Sequence, residues 1–145
     1  MSDFYLKIGD AVAFEKTVGE TDVYLFAGIT GDFAPNHVNE EFMKKSAYGR
    51  RIAHGALMIG FMSTASSLIV EKFVAPGADE TPVSLGYDRI RFIGPVFIGD
   101  TIRVAYTIKR IEPEKRRSYG EIVVTNQSGA TVAVGEHILK WVPNK

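Results

Sequence analysis

The chain has 145 residues, of which 46% are hydrophobic and 23% charged, with 17 Lys plus Arg against 17 Asp plus Glu. That size and apolar content suit one domain with a real hydrophobic core, and the charge balance gives no field to recruit nucleic acid or an acidic membrane. The absence of cysteine removes disulfides, thiolate catalysis and most structural zinc sites.

Met1-Ser2-Asp3-Phe4-Tyr5-Leu6-Lys7 lacks a basic segment followed by an apolar core, so no secretory leader is expected and the reading is cytoplasmic. Residues 11–18 read as a strand after the Gly9-Asp10 turn. Thr21 is expected to cap a short helix with Asp22 in its first turn, running through Phe26 and Ala27 to a stop near Gly31. Asn39, Glu40 and Glu41 start another short helix, with Lys44 and Lys45 near its C-terminal end.

Gly55 opens a long helix in which Leu57, Met58, Ile59, Phe61, Met62, Ala65, Leu68, Ile69 and Val70 leave no wide polar face. Such a helix is expected to be wrapped by other elements. Its apolar run, residues 56–70, is short and interrupted by Gly60, Ser63, Thr64, Ser66 and Ser67, which argues for a buried helix and against a membrane span. Residues 75–79 form a loop. In residues 101–111, Ile102, Val104, Tyr106 and Ile108 alternate with Arg103, Ala105, Thr107 and Lys109, the period of a half-buried strand. Residues 83–93, 118–126 and 131–142 also read as strands, with turn signals at Gly99-Asp100 and Gln127-Ser128-Gly129. The order predicts an α+β fold, a single domain in which an antiparallel sheet curls round a central helix. One sheet cannot cover such a helix and keep both edges paired, so a homodimer or higher homo-oligomer is expected.

Chemistry concentrates before that helix. Gly31-Asp32-Phe33-Ala34-Pro35-Asn36-His37 sets a carboxylate and an imidazole five positions apart around a proline. Pro35 breaks any continuous helix between them, so a bent loop can bring Asp32 and His37 to one water. Asp32 read alone is equally a turn or capping residue, and His37 read alone is a polar loop histidine. Gly55 presents a helix-terminal amide without an intrahelical partner, at the positive end of the dipole and with no side chain to block a ligand oxygen. Its N–H is assigned to an oxyanion contact. Together the three residues suit acid/base chemistry beside a carbonyl, which makes an enzyme the leading reading. Three histidines without ligand spacing imply no metal.

These residues resemble the MaoC-like dehydratases, and more closely the single-domain (R)-specific enoyl-CoA hydratases of the hot-dog fold. That family's pattern is roughly Asp-x-Asn-Pro-x-His, then Ile-(Ala/Val)-His-Gly and a helix. Asp32, Pro35, His37, Ile52, His54 and Gly55 match it, and residues 91–100 look like the family's strand-turn signature. One position departs: Ala34 stands where the pattern has asparagine, and an asparagine follows at 36.

The resemblance, covering about residues 8–142, implies a single hot-dog domain that adds water to a trans-2-enoyl-CoA to give the (R)-3-hydroxyacyl-CoA. It implies that Asp32 is the base, that His37 orients the water and shares the proton, and that Ser63 hydrogen-bonds within the site. Coenzyme A is then part of the substrate and no separate cofactor is needed. Arg51, beside the His-Gly motif, ranks above Arg50, Arg89, Arg91 and Arg103 for contact with the CoA phosphates. His54 reads as structural, orienting the loop beside Gly55, and His137 as a surface or interface residue. The competing readings are an acyl-CoA thioesterase and a catalytically silent hot-dog subunit, the latter favoured by Ala34.

Overall fold

The computed structural model describes residues 4–145. Met1-Ser2-Asp3, where the leader reading begins, lie outside the described residues. The elements are β1 (Ala11–Thr17), α1 (Glu20–Thr30), α2 (Pro35–Val38), α3 (Glu40–Met43), α4 (Gly55–Phe73), β2 (Glu80–Phe92), β3 (Thr101–Glu112), β4 (Arg117–Thr125) and β5 (Thr131–Pro143). The strands form one antiparallel sheet in the order β1-β3-β4-β5-β2. Strands β3, β4 and β5 follow one another as neighbours, while β2 docks beyond β5. The chain between β2 and β3 must therefore cross the sheet, and that crossing builds one wall of the site.

Alternation along β3 puts Ile102, Val104, Tyr106 and Ile108 on the buried face, joined by Ile122 and Val124 of β4 and Ala133, Leu139 and Trp141 of β5. Met58, Met62, Ala65 and Ile69 of α4 are buried in the same core. Each fully buried aliphatic side chain of this kind contributes ~1.5–3 kcal/mol. The sheet takes only one side of α4. Ala56, Gly60, Ser63, Thr64 and Ser67 are exposed, so within one chain the sheet wraps the helix on its large-residue side, as a single sheet must. Helical spacing gathers the small and hydroxylated residues into one stripe opposite the sheet. By length and composition α4 could cross a membrane; here its large side chains serve the core.

The cap of α1 also differs from expectation. The helix begins at Glu20 with Gly19 as its N-cap, ahead of Thr21. Glycine has no side chain to cap with, and the Asp22 carboxylate accepts the Gly19 N–H at 2.8 Å while pairing with Lys16 at 3.0 Å. At the other end Gly31 adopts φ +81°, the left-handed cap glycine takes without strain. Asn39 caps α3 as its sequence context suggests, its side chain accepting the Phe42 N–H at 3.0 Å.

Two connections set the approach to α4. The Ala53 N–H donates to the Val96 carbonyl at 2.7 Å, and Ile52 bridges to Phe97, so the crossing segment grips the residues leading into the helix. Beyond it, Gly99 turns with φ +98° and the Asp100 carboxylate accepts from Phe97 N–H (2.9 Å) and Gln127 Nε2 (2.8 Å). The two turn signals read in sequence are thus joined to each other in space.

Candidate active site

Pro35 is the first residue of α2, where its fixed φ and missing N–H suit a helix start. The sequence reading had it hold a bent loop. Instead a turn carries Asp32 immediately after the Gly31 cap, and a one-turn helix carries His37. Asp32 is exposed, its Oδ1 accepting the Ala34 N–H at 3.2 Å. His37 is 7% exposed. Its Nδ1 lies 2.8 Å from the Ile52 carbonyl, which can only accept. Nδ1 therefore carries a hydrogen, and in the neutral ring Nε2 holds the lone pair.

His54 stands immediately before α4. Its Nε2 lies 2.9 Å from the Asp32 carbonyl, and its ring stacks on His37 with centroids 3.7 Å apart and planes at 27°. Asp32, His37 and His54 each bring a carboxylate or imidazole ligand atom within 4.8 Å of the other two. Two of the three histidines scattered in sequence are thus neighbours in space. The stack opposes shared coordination, because an ion in the plane of both rings at ordinary bond lengths would hold the centroids about 5 Å apart. Asn36 takes part through its backbone carbonyl, which accepts the Ile52 N–H at 3.0 Å.

Gly55 opens α4 with no side-chain cap from His54, and as the first residue of the helix its N–H has no intrahelical partner. The cavity beside it, about 340 Å³, is lined by His37, Tyr48, His54, Gly55, Met58 and Phe92 among others. Gly55 is glycine for a reason the sequence could not supply. A Cβ there would come 2.6 Å from the Phe92 ring.

Two of the expected substrate contacts lie elsewhere. Ser63 sits about 12 Å along α4 from Gly55 and lines a different concavity with Ser66, Ser67 and Ser84, near Tyr87. The Arg51 side chain, 12% exposed, pairs with Glu20 and with Glu40 (2.9 Å) and also reaches the Tyr24 hydroxyl at 3.2 Å. The Glu20 hydrogen bond raises its already high pKa, and Arg51 in turn lowers that of the Glu40 carboxyl. The guanidinium expected to meet CoA phosphates is occupied in tying α1 to α3. Arg50, by contrast, rests over the Phe97 ring at 3.9 Å.

The reading of His137 as a surface or interface residue is corrected. It is fully buried, with Nε2 at 2.8 Å from Ser84 Oγ and Nδ1 at 3.0 Å from the Tyr106 hydroxyl. Alternation along β5 turns residue 137 toward α4, a signal that sequence period alone could have given. Burial pushes its pKa down to about 4, so the ring is neutral in the core.

Residues 4–133 match the family described as MaoC like domain. An (R)-specific enoyl-CoA hydratase from Rhodospirillum rubrum is 37% identical over 128 residues, 88% of this chain and 79% of that one. Among solved structures, an (R)-hydratase from A. caviae superposes with a TM-score of 0.80 at 27% identity, over 93% of this chain and 96% of the other. A hot-dog-like protein from Thermanaerovibrio acidaminovorans shares the fold at TM-score 0.68 and 15% identity, over 97% of this chain and 86% of that one. The chain belongs to the MaoC-like dehydratase family, hydro-lyases built on the hot-dog fold.

Proposed function

We propose that this chain is an (R)-specific enoyl-CoA hydratase, adding water reversibly across the C2–C3 double bond of a trans-2-enoyl-CoA. The observation that carries the reading is the meeting of the Asp32 carboxylate and the His37 imidazole within 4.8 Å, beside a cavity that also contains the free helix-terminal amide of Gly55. The name borne by the R. rubrum relative supports it.

In this reading one water lies between Asp32 and His37 Nε2. Asp32 takes a proton as the water oxygen bonds to C3, and His37, its Nδ1–H anchored on the Ile52 carbonyl, orients that water through its lone pair. The π electrons move onto the thioester oxygen, where the Gly55 N–H and the α4 dipole stabilise the enolate. Collapse of the enolate takes the proton held by the Asp32–His37 pair onto C2. Atoms balance as one water added. Coenzyme A enters as part of the substrate, and no metal or separate cofactor has a step.

The test is to follow the enoyl thioester absorbance of crotonyl-CoA with purified protein while titrating free thiol. Loss of the band without thiol release is the expected result; thiol release would mean a thioesterase, and an unchanged band a silent subunit. Coupling the product to an (S)-specific 3-hydroxyacyl-CoA dehydrogenase checks the stereochemistry, because an (R) product yields almost no NADH.

A further inference from the structure

We propose that His54 is the positioning residue of this site, an imidazole whose Nε2–H fixes Asp32 through the backbone carbonyl while its ring face packs on His37. The proposal rests on the hydratase reading and assigns a role which that reading leaves open.

Asp32 needs an anchor. It sits on an exposed turn, where its own N–H reaches Thr30 Oγ1 only at 3.3 Å and its carboxylate reaches the Ala34 amide at 3.2 Å. The bond from His54 Nε2 to the Asp32 carbonyl is shorter, at 2.9 Å. It joins the turn to the residue ahead of α4, whose Met58, Met62, Ala65 and Ile69 are buried in the core. His54 is itself immobilised. It is 1% exposed, with Phe26 against one side at 4.7 Å and His37 stacked at 3.7 Å.

The hydrogen count identifies what the imidazole is for. A carbonyl accepts, so Nε2 carries the hydrogen and Nδ1 is a bare lone pair. That Nδ1 is buried and has no hydrogen-bond partner among the described residues. An unmet buried acceptor costs stability, and a ring needed only for packing would avoid the cost as phenylalanine. What phenylalanine cannot supply is the donor to Asp32.

Two variants separate the contacts. His54→Gln keeps an N–H donor near the Nε2 position and loses the stack; His54→Phe keeps the stack and loses the donor. Measured per folded subunit, kcat of His54→Phe is expected to fall about 10²-fold, the loss that follows from misplacing a reacting group. KM should change little, and His54→Gln should recover most of the rate. Wild-type kcat in both variants, with only the melting temperature lowered, would reduce His54 to packing and overturn the proposal. Should neither variant fold, ¹⁵N imidazole spectra of the wild-type protein decide instead. The proposal requires the Nε2–H tautomer at His54 and the Nδ1–H tautomer at His37; an Nδ1–H tautomer at His54 overturns it. A wild-type protein that leaves enoyl-CoA unchanged would defeat the hydratase reading by itself, and the tautomer would still decide the His54–Asp32 contact.

Discussion

The ring of Phe92 lies over Gly55 so closely that a methyl group on Gly55 would sit 2.6 Å from it. The end of β2 and the start of α4 thus meet at the amide assigned to the enolate oxygen. Gly55→Ala is expected to displace the aromatic ring and disturb the cavity while keeping the N–H. To isolate the amide, Gly55→Ala and Gly55→Pro should be compared in a Phe92→Ala background. Proline is tolerated at a helix start and removes only the donor. Its turnover should be ~10²–10³-fold below that of the alanine variant, the loss typical of an oxyanion-hole hydrogen bond. Equal rates of crotonyl-CoA hydration would place the oxyanion contact elsewhere.

Arg51 links Glu20 on α1 to Glu40 on α3, and these helices flank the turn that bears Asp32. Arg51→Ala is expected to lower the melting temperature by a few degrees and leave KM for an acyl-CoA nearly unchanged. An unaltered melting temperature with a raised KM would restore the phosphate contact expected from sequence.

His137 makes stability depend on pH with a definite sign. In the unfolded chain it protonates near its ordinary value of 6.5, whereas burial in the folded core holds it down to about 4. Between those values the unfolded state binds the extra proton. The stability contributed by the neutral ring is therefore complete above pH 6.5 and is lost as pH falls toward 4, by up to about 3 kcal/mol. Urea unfolding of the wild type and of His137→Asn across this window should show a steeper loss of stability with falling pH in the wild type, the carboxylates contributing equally to both; parallel curves would refute the assignment.

Strand β2 is an open edge of the sheet and carries Val83, Leu85 and Phe92 with at least 40% of their surface exposed. Unpaired backbone groups beside apolar side chains form a surface that a second copy of the chain can cover. We expect a homodimer that continues the sheet through this edge. Light scattering at micromolar concentration should give twice the chain mass, and a monodisperse 16.0 kDa species would contradict it.

Much of this molecule was legible in its sequence. Alternation locates β3, and Gly55 marks the start of α4 because a helix beginning at a glycine is a local event. Asp32 and His37 were legible as a pair because five residues and a proline keep them close in any compact turn. What failed was long-range. Nothing local tells that Arg51 meets Glu20, thirty-one positions earlier, or that β2 passes the β3-β4-β5 meander and brings Phe92 onto Gly55. In sequence His54 reads as orienting the loop beside Gly55; in the structure its partner is the backbone of Asp32, twenty-two positions earlier. The cap of α1 failed for a smaller reason: the Asp22 side chain reaches back to a glycine, and glycine leaves no capping signature.

Asp32 and His37 are expected to act together on one water. The most direct measurement is the initial rate of enoyl-band loss from crotonyl-CoA for wild type, Asp32→Asn, His37→Ala and the double variant at equal folded concentration. Each single substitution should lower the rate ~10²–10⁴-fold, and the double variant should be scarcely slower than the worse single one, because groups serving one water are not additive. Turnover near the wild-type rate in either single variant would mean that the pair does not carry the hydration.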